Sequence, residues 1–200
     1  MGKSAKIAII LLHEIYGKNR HILTVQQWLE GTGYPVYCPN LLCNREKPFA
    51  YSEQAEAYNS FMRQGGFAAA AKKVSGLLYS LRDEYAQVFL VGFSIGATLA
   101  WLAGRAQEPP DGIAGFYGSR IRDYTDQMPA CPALLVFPRS EDSFDVGGLI
   151  RTLKGKANLE IRQANALHGF LDPWSVHYNE AEAKATFEYA LQFIRSHSKA

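Results

Sequence analysis

This sequence has few cysteines, and they form no metal-binding pattern. Cys38, Cys43 and Cys131 make an odd count without a Cys-x-x-Cys pair, which is typical of reduced thiols in a cytoplasmic protein. Cys38 and Cys43 could pair, since four residues separate them. Because they lie near the end of a predicted strand, we expect two independent thiols.

The chain also lacks strong net charge and long apolar runs. Its 21 basic and 19 acidic residues leave a formal charge of +2, which gives little attraction to nucleic acid or to an acidic membrane surface. The apolar run 7–12 is too short for a secretory signal or a membrane span and leads directly into His13 and Glu14. We therefore expect a buried first strand, and neither a nucleic-acid nor a membrane partner.

Apolar β-type runs alternate with helical patterns along the whole chain, which predicts a single domain over residues 1–200. This alternation indicates an α/β fold, a three-layer α/β/α sandwich with a small, mainly parallel sheet. Strands are predicted at 6–12, 34–37, 88–91, 113–117, 132–137 and 159–163, and helices at 20–30, 53–63, 67–85, 97–105, 146–153 and 180–196. The long polar connection 40–66 is predicted to border the functional site, where it could act as a lid.

The most informative motif lies between the third strand and the helix that follows it. Gly92, Ser94 and Gly96 form a Gly-x-Ser-x-Gly pattern after four apolar residues. Such a strand-turn-helix pattern is typical of a nucleophile elbow, in which a strained turn exposes the serine hydroxyl and only small residues fit on either side. The alternative is an ordinary strand-to-helix connection with serine as the helix N-cap.

Two further residue types needed for serine catalysis follow in order along the chain. Asp142 comes after the fifth predicted strand and His168 after the sixth, so the order is Ser94, acid, histidine. This is the order used by α/β-hydrolases, and the carboxyl ends of parallel strands meet at one edge of a sheet. Glu141 and Asp145 are alternatives for the acid.

The remaining histidines fit the triad less well. His13 precedes the serine and so breaks the order, and we expect His21, His177 and His197 on or beside helices to be solvated.

Four segments together resemble the dienelactone hydrolase family of α/β-hydrolases. They are His13-Glu14-Ile15-Tyr16-Gly17, Gly92-Phe93-Ser94-Ile95-Gly96, Ser140-Glu141-Asp142-Ser143-Phe144 and Leu167-His168-Gly169-Phe170. The resemblance implies a triad of Ser94, Asp142 and His168, with Glu14 beside the nucleophile. It also implies an oxyanion hole formed by the backbone N–H groups of Ile15 and Ile95, which meets the need for two donors aimed at the developing negative charge.

Three positions depart from the family pattern. Well-known members carry cysteine where this chain has Ser94, and they carry a substrate-binding arginine four residues after the catalytic histidine, where this chain has Asp172. Asp172 would repel a carboxylate substrate. A second family arginine has no clear counterpart, although Arg63 is near its position.

From these residues we expect a serine hydrolase that cleaves a small carboxylic ester or lactone through an acyl-enzyme. A thioesterase or peptidase on the same fold, and a non-catalytic ligand-binding relic, are the alternatives. The reaction needs no metal or organic cofactor, and we expect a monomer or small homo-oligomer. The predicted substrate contacts are aromatic or apolar residues and one arginine from loops at the same sheet edge: Tyr16, Leu41, Tyr58, Tyr117, Arg120 and Phe170.

Overall fold

A single six-stranded parallel sheet forms the centre of the structure. The computed structural model describes residues 4–42 and 47–199, so the question of a Cys38–Cys43 pair lies outside the described residues. The strands run β1 (Ser4–Leu12), β2 (Val36–Tyr37), β3 (Tyr85–Phe93), β4 (Gly112–Phe116), β5 (Ala133–Phe137) and β6 (Leu159–Gln163), and their order in the sheet is β2-β1-β3-β4-β5-β6. The helices are α1 (Arg20–Gly31), α2 (Gln54–Arg63), α3 (Gly66–Leu81), α4 (Ile95–Ala103), α5 (Val146–Leu153) and α6 (Glu180–His197).

The core has two halves, one on each face of the sheet, because alternate residues of a strand point to opposite faces. In β1, Ile9 and Leu11 pack on the side covered by α1 and α6, whereas Ile10 and Leu12 pack on the side covered by α2 to α5. All these side chains are fully buried. The predicted α/β/α sandwich with a small parallel sheet is therefore confirmed.

Helix α1 shows how the local sequence sets this packing. Asn19 caps its start by accepting a hydrogen bond from the Ile22 backbone N–H at 3.1 Å. The apolar face formed by Ile22, Val25 and Leu29 is buried as predicted, but His21 is buried with it at 1% exposure. The expectation that His21 is solvated was therefore wrong, whereas His177 and His197 are exposed.

The largest difference between a predicted and an observed helix boundary is at the end of α3. The helix predicted over 67–85 ends at Leu81, and β3 starts at Tyr85. Arg82 directly follows α3, and its guanidinium binds the Asp111 carboxylate and the Pro109 carbonyl. The Tyr85 hydroxyl pairs with the Tyr37 hydroxyl at 2.8 Å. These tertiary contacts outweigh the helical spacing of the segment.

The connection between β2 and α3 contains a short 3₁₀ turn, Tyr51–Glu53, and then α2, which begins one residue later than predicted. In the described part of the chain, no helix is both long and apolar enough to cross a membrane.

The turn between β3 and α4 brings two backbones very close together. A Cβ atom at Gly96 would overlap the carbonyl group of Leu12, and one at Gly92 would overlap the carbonyl group of Gly96. Both clashes are with backbone atoms, which cannot rotate away. The predicted requirement for small residues on either side of Ser94 is thus met in the structure.

Replacing Gly96 with alanine should therefore destabilise the fold by at least about 3 kcal/mol, since the added methyl group has no space. Gly76→Ala is the matched control, because Gly76 is exposed in α3 and a Cβ there meets no atom within 4 Å. The control should be neutral or stabilising by up to about 1 kcal/mol. Urea unfolding measures both, and equal stability of the two variants would contradict the analysis.

Candidate active site

Ser94 lies at the sharp turn between β3 and α4. Its backbone has a φ of +53°, a left-handed value that is uncommon for a residue other than glycine, and its N–H donates to the Phe116 carbonyl at 2.9 Å. A strained residue held by its surroundings is the geometry of a nucleophile elbow.

His168 lies in the loop after β6, and Glu141 is the carboxylate that contacts it. The distance from His168 Nδ1 to Glu141 Oε1 is 2.5 Å. Asp142, which the sequence analysis placed here, is exposed and makes no such bond. The reason lies in the turn after β5, where Glu141 and Phe144 form an isolated antiparallel bridge. Adjacent residues there point in different directions, so only Glu141 faces His168.

The ring and backbone of His168 are held by two further side chains. The Tyr117 ring packs against the imidazole with 4.7 Å between ring centroids. His177 Nδ1 lies 3.0 Å from the His168 carbonyl oxygen, which places the His177 N–H as its donor. These contacts help to fix the orientation of His168.

Glu14, in the loop after β1, is buried behind this histidine. Its Oε1 accepts a hydrogen bond from the Tyr117 hydroxyl at 2.8 Å, and its Oε2 lies 3.8 Å from His21 Nδ1. Burial by itself raises the pKa of Glu14, but the neighbouring His21 and Tyr117 side chains lower it, so the net pKa lies below its usual value.

Asp172 adds a second buried carboxylate to the same region. One of its oxygens accepts from the Tyr51 hydroxyl at 2.5 Å and the other from the Trp174 backbone N–H at 2.9 Å. Burial, together with the charges of Glu14 and Asp172, raises the pKa of Tyr16 to about 12. Part of the site wall is thus negatively charged.

His13 connects two loops at the same sheet edge. The Leu41 N–H donates to His13 Nε2 at 2.8 Å, so the proton of the neutral ring lies on Nδ1 and is donated to the Glu14 carbonyl at 2.6 Å. Burial lowers the pKa of His13 to about 4, which fits this neutral form. His13 therefore holds the loop of Glu14 and Ile15 in place.

The two candidate oxyanion-hole donors come from this loop and from the elbow. Ile95 is the first residue of α4, so its N–H has no acceptor within the helix. Among the backbone hydrogen bonds of the described residues outside the helices and strands, neither Ile15 nor Ile95 is a donor. Both residues line the same cavity as Ser94 and His168, so both N–H groups are available to a ligand.

This cavity has a volume of about 590 Å³. Three of the six predicted substrate contacts, Tyr16, Tyr58 and Arg120, line it. The other three do not, because their side chains are buried in the core: Leu41, Tyr117 and Phe170. Aromatic and apolar residues at strand ends serve there as packing rather than as pocket.

Several cavity residues were missed by sequence reasoning. They come mainly from two 3₁₀ turns, Tyr51–Glu53 and Ser119–Tyr124 after β4, and from the loop after His168, namely Tyr51, Gln54, Ser119, Arg122, Trp174, Ser175, Val176 and His177. The sequence could have suggested only the four residues in the loop that follows His168, because that loop comes directly after a predicted triad residue. Arg63, the possible counterpart of a family arginine, pairs with Glu56 on the surface instead.

A parallel sheet with an elbow serine and a carboxylate-paired histidine at its carboxyl edge defines an α/β-hydrolase. The sequence profile of the dienelactone hydrolase family matches residues 2–198. The chain therefore belongs to the dienelactone hydrolase family, and it is a hydrolase that acts on ester bonds in small molecules.

The chain is also similar to two other protein sequences and to solved structures. The "Uncharacterized protein YczH" of Bacillus subtilis is 39% identical over 178 residues, which cover 88% of this chain and 86% of that protein. A "Putative carboxymethylenebutenolidase" of Saccharolobus solfataricus is 25% identical over 237 residues, covering 98% and 92%. A dienelactone hydrolase-like promiscuous phosphotriesterase from metagenomic libraries shares the fold with a TM-score of 0.76 and 15% identity, over 98% of this chain and 88% of that one.

The hydrogen bond between Tyr117 and Glu14 offers a direct test of the buried part of the site. Tyr117→Phe keeps the ring but leaves a buried carboxylate oxygen without its donor, which should cost about 1–3 kcal/mol of stability. Tyr79→Phe, at a side chain that is 68% exposed, is the control and should change stability by less than about 0.5 kcal/mol. Urea unfolding compares them, and an unchanged stability of Tyr117→Phe would disprove the role of this bond.

Proposed function

We propose that this protein is a serine hydrolase that cleaves small carboxylic esters or lactones through an acyl-enzyme. The observation that carries the proposal is the 2.5 Å contact between Glu141 and His168, at the edge of a cavity that Ser94 also lines. Ser94 would be the nucleophile, His168 the general base and Glu141 the acid that orients the histidine.

The contact with Glu141 indicates which ring nitrogen of His168 carries the proton. Because Nδ1 faces a carboxylate, it carries the proton and donates it, which leaves Nε2 as the free base. Nε2 can then accept the Ser94 proton as the serine oxygen attacks the ester carbonyl carbon. The negative charge of Glu141 stabilises the imidazolium that forms.

The rest of the reaction uses the same groups. The N–H groups of Ile15 and Ile95 would stabilise the tetrahedral oxyanion, and imidazolium returns the proton to the leaving alcohol. Water, deprotonated by His168, then attacks the acyl-enzyme and releases the acid. Glu14 accepts from Tyr117 and lies behind His168, so its place in this scheme is electrostatic and structural.

The aromatic and charged lining suggests the substrate class. Tyr16, Tyr51, Tyr58 and Trp174 give the cavity apolar faces that suit a small aromatic or unsaturated acyl group. The cytoplasmic location, the single domain, the lid role of 40–66, and the monomer or small homo-oligomer stay predictions from the sequence.

The serine mechanism is tested with Ser94→Ala. Initial rates on p-nitrophenyl acetate, p-nitrophenyl butyrate and a dienelactone should fall by at least about 10³-fold, because no other group forms the acyl-enzyme. A fluorophosphonate probe should label the wild type and leave the variant unlabelled. Ser75→Ala, on an exposed face of α3, serves as control and should keep its full rate. A folded wild type that neither reacts with the probe nor hydrolyses any ester would favour the binding relic.

The identity of the acid is tested with a pair of neighbouring substitutions. Glu141→Gln keeps the size of the side chain but removes its charge, so kcat should fall by about 10²- to 10⁴-fold. Asp142→Asn should change kcat by less than about threefold, since Asp142 is exposed and makes no bond to His168. A large loss in Asp142→Asn with little change in Glu141→Gln would reverse the assignment.

A further inference from the structure

A cluster of potential ligands lies in the wall of the cavity and takes no direct part in the proposed acyl transfer. It consists of Glu14 from the loop after β1, His21 from the first turn of α1, and Asp172 from the loop before α6. One ligand atom from each lies within 4.8 Å of the others, and the three residues are only 4%, 1% and 2% exposed. Two carboxylates and an imidazole thus converge where water has almost no access.

His21 shows that the protein atoms alone do not satisfy this cluster. Both of its ring nitrogens are inaccessible to solvent and lack a hydrogen-bond partner. Its ring packs edge-to-face on Phe93, 4.9 Å away between ring centroids, which fixes its position. A neutral imidazole always has one nitrogen lone pair, and burying that pair without a partner is unfavourable.

The distances fit a shared cation better than a hydrogen bond. His21 Nδ1 lies 3.8 Å from Glu14 Oε2, too far for a hydrogen bond. Two ligand atoms each about 2.0–2.2 Å from one zinc ion lie roughly 3.3–3.6 Å apart at the tetrahedral angle, which is within a few tenths of an ångström of this separation. The widest separation in the cluster is 4.8 Å at most, so a shift of less than about 1 Å would bring the third ligand into place.

The two buried carboxylates of the cluster also favour a bound cation. Glu14 and Asp172 are both buried, and in the part of the chain that the structure describes neither forms an ion pair with lysine or arginine. Protonating His21 would supply a positive charge but would place two N–H donors where neither has an acceptor within hydrogen-bond distance. A metal ion would use the His21 lone pair and neutralise both carboxylates together.

We propose that Glu14, His21 and Asp172 bind one divalent cation, and that this cation is zinc. An imidazole nitrogen with two carboxylate oxygens is a donor set that suits zinc, whereas calcium and magnesium prefer oxygen ligands alone. The three protein ligands leave room for a fourth, such as water, in a tetrahedral site.

The ion has a positioning role in this proposal. Glu14 directly precedes Ile15, the candidate oxyanion donor, and Asp172 lies four residues after His168. Joining both to α1 would hold the two loops at a fixed separation. Binding does not depend on acyl transfer, so it goes beyond the proposed function and can be measured without it.

The test is zinc binding to the full-length protein after treatment with EDTA and dialysis. Isothermal titration with ZnCl₂, together with elemental analysis of the protein after removal of free zinc, should give about one ion per chain. The melting temperature should rise by roughly 5–10 °C at a hundredfold excess of zinc over Kd. The same result is expected for Ser94→Ala, which separates binding from catalysis.

Variants identify the ligands. His21→Phe keeps an aromatic ring beside Phe93 but removes the nitrogen ligands, and it should weaken zinc binding by at least about 100-fold. Asp172→Asn should also weaken binding and provides the test if His21→Phe does not fold. The control is His197→Gln, which removes an exposed histidine from the end of α6 and should bind zinc like the wild type.

Three outcomes would overturn the proposal. One is a folded wild type that binds less than about 0.2 zinc ions per chain with no change in melting temperature. Another is one-to-one binding that persists unchanged in both His21→Phe and Asp172→Asn, since this would place the ion elsewhere on the surface. Nitrogen NMR shifts of His21 in the EDTA-treated protein that remain those of an imidazolium after ZnCl₂ is added would likewise show a proton in place of the ion.

Discussion

The close approach of the α4 backbone to the end of β1 is the constraint on which the site depends. With no Cβ at Gly96, the first turn of α4 packs directly on the Leu12 and His13 carbonyl groups. This contact places the loop that follows β1 beside Ser94, so Glu14 and Ile15 become part of the cavity wall. The two candidate oxyanion donors, from separate segments, therefore owe their proximity to one missing methyl group.

A set of buried polar contacts next to the cavity joins loops from different strand ends to one another. His13 joins the β1 loop to Leu41, while Tyr117 donates to Glu14 and packs on His168. Each contact joins the ends of different strands. Because such groups are costly to bury unpaired, they favour one arrangement of the loops over others. These buried contacts thus hold in place the loops that carry the candidate site.

The parts of the candidate site that depend on local sequence patterns could be predicted from the sequence. The elbow and the order of serine and histidine follow from strand ends and small residues. The family resemblance favoured Asp142 as the acid, whereas Glu141 is the residue that contacts His168, because the conformation of this loop includes a bridge between Glu141 and Phe144 that the sequence pattern does not reveal. The burial of His21 did have a signal, since it lies four residues before Val25 on the apolar face of α1. Leu41, Tyr117 and Phe170 were misplaced because an apolar side chain at a strand end suits a core as well as a pocket.

Asp172 places a carboxylate in the wall of the cavity. Each of its oxygens accepts a hydrogen bond within the fold, one from the Tyr51 hydroxyl and the other from the Trp174 backbone N–H, so it is a fixed part of the cavity wall. The positive charges that face the cavity come instead from the 3₁₀ turn after β4, where Arg120 packs over Tyr58 and Arg122 over Phe144. The cavity is therefore lined by charged groups of both signs, with the arginines on the turn after β4 and the carboxylates of Glu14 and Asp172 on the loops after β1 and β6.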